Sequence, residues 1–153
     1  LTHAHLDHIG IVKKIQNKFS IPVYLHSMDE ELANNLPLYC NYFNIEKFDS
    51  PTITHYVDNT KILNINNYII KVILTPGHTM GGVSYLFDNF LFTGDTIFNK
   101  SIGRTDLPGG NYTLLLESIK NNILTLDKNI EIFSGHGNKT TIGDEIKNNP
   151  FLK

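Results

Sequence analysis

Leu1-Thr2-His3-Ala4-His5-Leu6-Asp7-His8 opens the chain, and its spacing decides how the remaining residues are read. Side chains alternate along an extended segment, so His3 and His5 project to one side. Asp7 and His8 fall where the chain turns into the next helix. Four potential ligands within six residues thus offer two groups of donors to two neighbouring metal ions. The helix that follows is marked by Ile11, Val12, Ile15 and Phe19 at helical spacing, with Lys13, Lys14 and Lys18 on its other face.

Three later segments share a syntax of strand, turn and potential ligand: Thr75-Pro76-Gly77-His78, Thr93-Gly94-Asp95 and Ser134-Gly135-His136-Gly137. Glycine lets the backbone turn sharply and approach an ion closely. Ligands at strand ends sit on a rigid edge facing one cleft. Alone, each segment reads more readily as a structural turn. Together with the first motif, they read as a metal centre.

Between these segments, Pro22 to His26 reads as a short strand, and Ser27 with Glu30 as a capping box opening a short helix through about Ala33. Asn34 to Ser50 reads as an irregular segment whose aromatics Tyr39, Tyr42, Phe43 and Phe48 cover the core or wall a pocket. From Thr52 to Phe92 the pattern is of strands: Tyr68–Thr75 is β-branched, and Val83–Phe87 with Phe90–Thr93 form a hairpin about Asp88-Asn89. Tyr112, Leu115, Leu116, Ile119, Ile123 and Leu126 make a long helical stripe capped by Asn111. Ile130–Phe133 is a buried strand, and Thr141 to about Asn148 a closing helix. Strands and helices interleave, so the class is α/β, in a single domain over 1–153.

The 153 residues are enough to bury one core. With 13 Lys and Arg against 15 Asp and Glu, the net charge of −2 provides no basic field for nucleic acid or an anionic membrane. No apolar run reaches the ~20 residues of a membrane span. One cysteine, Cys40, excludes an internal disulfide and fits a reducing, cytoplasmic setting. Oligomeric state is not encoded in any pattern visible here. The chain has no initiator Met and begins inside its principal motif, and we read it as a piece of a longer protein.

His-x-His-x-Asp-His, Pro-Gly-His-Thr, Gly-Asp-Thr and Gly-His-Gly, in this order, resemble the metallo-β-lactamase superfamily. Gly103-Arg104-Thr105-Asp106-Leu107-Pro108-Gly109-Gly110 and Thr140 to Leu152 are similar to its compact, bacterial, glyoxalase II-like branch, the hydroxyacylglutathione hydrolases. The resemblance implies an αββα sandwich, here short of its N-terminal strands. It implies that His3, His5 and His78 hold one metal, that Asp7, His8 and His136 hold a second, and that Asp95 bridges them. Asp7 and Asp95 bind as carboxylates and are the expected catalytic residues. Nitrogen and oxygen donors suit two Zn²⁺ ions, with Fe²⁺ or Mn²⁺ also compatible. The implied reaction is attack of a metal-bound hydroxide on the carbonyl of a small-molecule thioester such as an S-(2-hydroxyacyl)glutathione. A thiolate leaves without help from a general acid, because thiol pKa values lie near 8.5.

The alternative is a mononuclear-iron persulfide dioxygenase, a relative with a Gly-Arg-Thr-Asp loop; the full ligand set and the Leu-Pro-Gly-Gly continuation favour the hydrolase. β-Lactamases of the superfamily often carry Cys near the position of Asp95, and its nucleases carry added binding segments. A non-catalytic metal module is disfavoured because every ligand is present. Arg104 and Asp106 either shape the pocket rim or pair to hold their loop. Thr79 and Thr96 support the ligands or their turns, and His26 and His55 are read as ordinary structural histidines.

Overall fold

The computed structural model describes residues Leu1–Lys153. Its centre is a mixed sheet of six strands. In chain order the helices are α1 (Leu6–Ile9), α2 (Val12–Phe19), α3 (Glu30–Asn34), α4 (Leu36–Tyr42), α5 (Tyr112–Ser118) and α6 (Ile142–Asn148). The strands are β1 (Tyr24–Leu25), β2 (His55–Tyr56), β3 (Ile62–Ile65), β4 (Tyr68–Leu74), β5 (Val83–Phe87), β6 (Phe90–Gly94), β7 (Ile97–Phe98), β8 (Ser101–Ile102), β9 (Glu131–Ser134) and β10 (Thr140–Thr141). The large sheet runs β10-β9-β6-β5-β4-β3, while β1–β2 and β7–β8 are separate pairs. No helix is long and apolar enough to cross a membrane.

Topology places the candidate ligands. β4, β5 and β6 are successively antiparallel, and β6 runs parallel to β9. β4, β6 and β9 therefore point the same way, and all three end at one edge of the sheet. The turns that follow them carry His78, Asp95 and His136. The opening motif reaches the same edge, because Val83 at the start of β5 donates its N–H to Thr2 O (2.9 Å). Tyr85 adds a hydroxyl bond to Leu1 O at 2.8 Å.

One face of the sheet is covered. Leu91 and Ile132 pack with Leu115, Ile119, Ile123 and Ile142 from the α5 and α6 layer in the largest buried cluster. α5 is capped as expected, Asn111 Oδ1 accepting from Leu114 N–H at 3.0 Å, and it runs on into a π turn over Ile119–Ile123. A second cluster, with Ile9, Leu25, Ala33, Leu36 and Cys40, holds α1 to α4 together. The opposite face of the sheet is apolar and open. A cavity of about 700 Å³ there is lined by Ile15, Tyr24, Tyr68, Phe87 and Phe92 among others. Ile11, Ile15 and Phe19, the apolar stripe of α2, are all exposed, and Gln16 is the buried residue of that helix.

Two local expectations are corrected. The irregular segment expected from Asn34 to Ser50 contains α4, with Pro37 in its first turn, where a missing N–H costs nothing. The Ser27–Glu30 capping box does not form. His26 is the cap, its Nδ1 accepting from Met28 N–H at 3.2 Å, and Ser27 N–H donates to Asp58 instead. The α/β class, the β5–β6 hairpin and the closing helix, capped by the Thr141 hydroxyl, stand as read.

Candidate metal centre

All seven residues singled out in the sequence meet at this edge. His3, His5 and His78 form one group of donors and Asp7, His8 and His136 another, the donor atoms within each lying within 4.8 Å of one another. A further group of His3, His8 and Asp95 overlaps both. Asp95 straddles the two trios: its oxygens lie 3.2 Å from His8 Nε2, 3.5 Å from His136 Nε2 and 3.7 Å from His78 Nε2. Asp7 and His8 are presented by the single turn of α1, with His136 Nε2 at 3.0 Å from Asp7 Oδ2.

Close packing of backbone makes this possible. Gly94 has φ of 51°, and a Cβ there would collide with the Thr2 hydroxyl behind His3. A Cβ on Gly135 would occupy the space taken by Asp95 Oδ1 and the His8 ring. These two glycines let the strand ends close around the opening motif.

The ring orientations are set from behind. His78 Nδ1–H donates to Arg104 O at 2.7 Å, so Nε2 is the ring nitrogen that faces the other donors. Thr2 Oγ1 lies 3.2 Å from His3 Nδ1, and His3 Nε2 is the ring nitrogen left without a hydrogen-bond partner. His5 Nδ1 and His78 Nε2 approach to 2.8 Å, bringing two ring nitrogens onto one point.

Burial controls charge in the cluster. His3 is 2% exposed. That burial, reinforced by four neighbouring imidazoles, drives its pKa far below the ordinary histidine range. Burial and then His78 lower His5 to about 4, against the pull of Asp7 and Asp95. For His8, burial is outweighed by contact with Asp95 and by the charges of Asp95 and Asp7, and its pKa rises. Burial would raise Asp95, but His8, His78 and His136 outweigh it and hold the carboxyl below its usual value. The cluster thus favours neutral His3 and His5 beside an ionised Asp95, the protonation states that ligation requires.

Three buried side-chain atoms have no hydrogen-bond partner: His3 Nε2, His8 Nε2 and Asp95 Oδ1. The last two are near each other but not aligned as donor and acceptor. Each such atom costs about 1–3 kcal/mol when left unsatisfied. All three belong to the one cluster, and divalent cations there would satisfy the imidazole lone pairs of His3 and His8 and the carboxylate oxygen of Asp95. The residues fit metal ions, and their nitrogen and oxygen donors are compatible with zinc, iron or manganese.

Asp29 has a part that sequence reasoning missed. It is fully buried, and its carboxylate accepts from Ala4 N–H (3.0 Å), the Thr79 hydroxyl (2.8 Å) and Gly81 N–H (2.7 Å). One side chain therefore ties the His3–His5 segment to the His78 turn. Burial raises its pKa against those three bonds. Of the two threonines flagged in the sequence, Thr79 serves this brace, and Thr96 donates to Thr75 Oγ1 at 3.1 Å. Arg104 and Asp106 form a bidentate pair at 2.7 Å, as one of the two readings of that loop expected. His26 caps its turn, and His55 stacks on Tyr24, both away from the cluster.

The family model for the metallo-beta-lactamase superfamily matches residues 1–136. The chain belongs to the metallo-β-lactamase superfamily. It is 39% identical over 156 residues to the probable metallo-hydrolase YqgX of Bacillus subtilis, covering 99% of this chain and 74% of that protein. Over 156 residues it is 35% identical to the hydroxyacylglutathione hydrolase GloC of Haemophilus influenzae, again covering 99% and 74%. Among solved structures it is similar to the BLEG-1 B3 metallo-beta-lactamase, with TM-score 0.93, 44% identity, and coverage of 99% of this chain and 75% of that one. TTHA1623 in a di-iron-bound form is similar at TM-score 0.88 and 33% identity, with the same coverage. This chain is thus a metallo-hydrolase of that superfamily, a group in which divalent metals are the usual cofactors.

Proposed function

We propose that His3, His5 and His78 hold one divalent metal, that Asp7, His8 and His136 hold a second, and that Asp95 bridges them to hydrolyse small-molecule thioesters. The observation that carries this reading is the convergence of the seven side chains with their three unsatisfied buried atoms. The bound ions would supply a water acidified enough to ionise near neutral pH, and Lewis acidity toward a carbonyl.

The protein's own contribution is geometry and charge. Asp95, low in pKa and 12% exposed at its side chain, keeps a fixed negative charge between the two trios. Asp7, 56% exposed, brings its carboxylate to the open side, where solvent enters. Leu6 and Phe98 line the same cavity. A leaving thiolate needs no proton, whereas the amine released from a β-lactam does. That difference, the likeness to GloC and the Gly103–Gly110 loop support thioesters. The likeness to BLEG-1 supports a second reading, β-lactam hydrolysis, which the same assay tests.

Purified without chelator, the chain should hold two equivalents of metal and cleave a thioester faster than a penicillin or cephalosporin. Asp95→Asn keeps the shape of the side chain and removes its charge. It should lower thioester turnover by at least ~100-fold, beyond the effect of losing an outer partner of a ligand. Undiminished turnover in Asp95→Asn, or a metal-free protein that hydrolyses as well, would overturn the reading.

A further inference from the structure

The cavity above the metal centre measures about 960 Å³. That is near the top of the range for sites enclosing a small organic molecule, so it accommodates both an acyl group and part of its carrier. Away from the ligands its walls are apolar and aromatic. Tyr39, Tyr42 and Phe43 come from α4 and its end, and Phe98, Leu107 and Pro108 from the segment after Asp95. Tyr42 is 82% exposed and Phe43 52%, with rings edge to face at 5.1 Å. Large aromatic surface left open to water at the mouth of a cavity gains most by covering an apolar ligand group.

Charge in the lining points the same way. Arg104 is the only Lys or Arg among the lining residues. Its Nε and Nη2 donate to both oxygens of Asp106, each at 2.7 Å. A substrate carboxylate that took this guanidinium would only replace another carboxylate, one tethered two residues away at high effective concentration. The exchange gains almost nothing. Asp106 is itself neutralised by this pairing, so the rim offers an anionic carrier no net positive charge.

Resting on the thioester reading, we infer that this pocket selects thioesters of an apolar or aromatic acyl group on a carrier without net negative charge. It lacks a cation free to bind the carboxylates of an anionic peptide thiol such as glutathione. Arg104 and Asp106 are specificity-determining residues in this account, the aspartate masking the one charge that would recognise such a carrier.

The test compares two thioesters of the same phenylacetyl group, one on neutral N-acetylcysteamine and one on glutathione, with the metal-loaded full chain. The neutral carrier should be preferred by about tenfold in kcat/KM. Asp106→Asn unmasks Arg104 and should shift that preference toward glutathione by several-fold, chiefly through KM. A calorimetric titration with S-hexylglutathione, which cannot be hydrolysed, reads the same change without turnover: binding should be tighter in Asp106→Asn than in the unaltered protein. Equal or better cleavage of the glutathione thioester by the unaltered chain would overturn the substrate class and leave the hydrolase standing. So would S-hexylglutathione binding that is strong before the substitution and unchanged by it. Cleavage of neither thioester would overturn the hydrolase reading and this inference with it.

Discussion

The two trios at the sheet edge use similar donors in opposite surroundings. His3 and His78 are 2% and 4% exposed, and each has its far ring nitrogen facing a fixed oxygen, of Thr2 and of Arg104. Asp29 braces the backbone between them. In the other trio the side chains of Asp7 and His136 are 56% and 58% exposed, and only His8 is largely covered. The imidazole of His136 faces Asp7 on one side and Phe98, at 6.2 Å, on another. A braced cluster with two of its three rings buried fixes its geometry before an ion arrives, whereas an exposed one orders its side chains at binding. The first trio should therefore bind metal tightly and the second exchange it.

The largest effect that could break this contrast comes from removing one ligand on each side. His3→Ala should cost more than ~1000-fold in turnover and empty the first position, since an inner ligand exceeds the 10–100-fold of an outer partner. His136→Ala should retain about one equivalent of metal. Elemental analysis of both variants decides the matter: loss of all metal from His136→Ala would show that the trios do not bind independently. Asp29→Asn is the next test. The amide matches the carboxylate in shape, but its NH₂ would face N–H or O–H donors. Affinity at the first position should fall about 10–100-fold, with the second unchanged. Competition with a chromophoric chelator separates the two. Equal losses would assign Asp29 to general stability rather than to positioning the first trio.

The contrast was only half legible in the sequence. Of the candidate ligands, His78, Asp95 and His136 stood out because each follows a strand and a glycine, and the other four because they crowd one short run; strand order then brings them together. Their division into trios came from resemblance, and their difference in burial from neither. Asp29 carries no local signal. Its partners lie 25, 50 and 52 residues away, so its role exists only after folding. Helix α4 was hidden because Pro37 and a run of aromatics suggest a break, although proline suits a first helical turn. For α2 the periodicity located the helix correctly. It could not say that Ile11, Ile15 and Phe19 would lie on an open apolar surface, because amphipathicity reports that a face is apolar and not what it packs against.

Acidification should sharpen the same contrast by the smallest margin, in protein stripped of metal. His3 and His5 both have pKa values lowered in the folded chain, His5 to about 4, against 6.5 when unfolded. Between these limits the unfolded chain binds more protons, so stability is full above pH 6.5 and falls as pH drops toward 4. Each proton taken up only on unfolding contributes at most about 1.4 kcal/mol per pH unit, and less for His5, which is partly open to solvent. His8 opposes this, since its raised pKa gives stability below pH 6.5 that is lost as pH rises through the folded value. Two lowered groups against one raised one leave a net loss on the acid side. Urea midpoints measured at pH 7.5 and 5.0 should show it, and His5→Gln should flatten the dependence. A midpoint that rises on acidification would mean that His8, in the exposed trio, sets the charge state of the centre rather than the buried imidazoles.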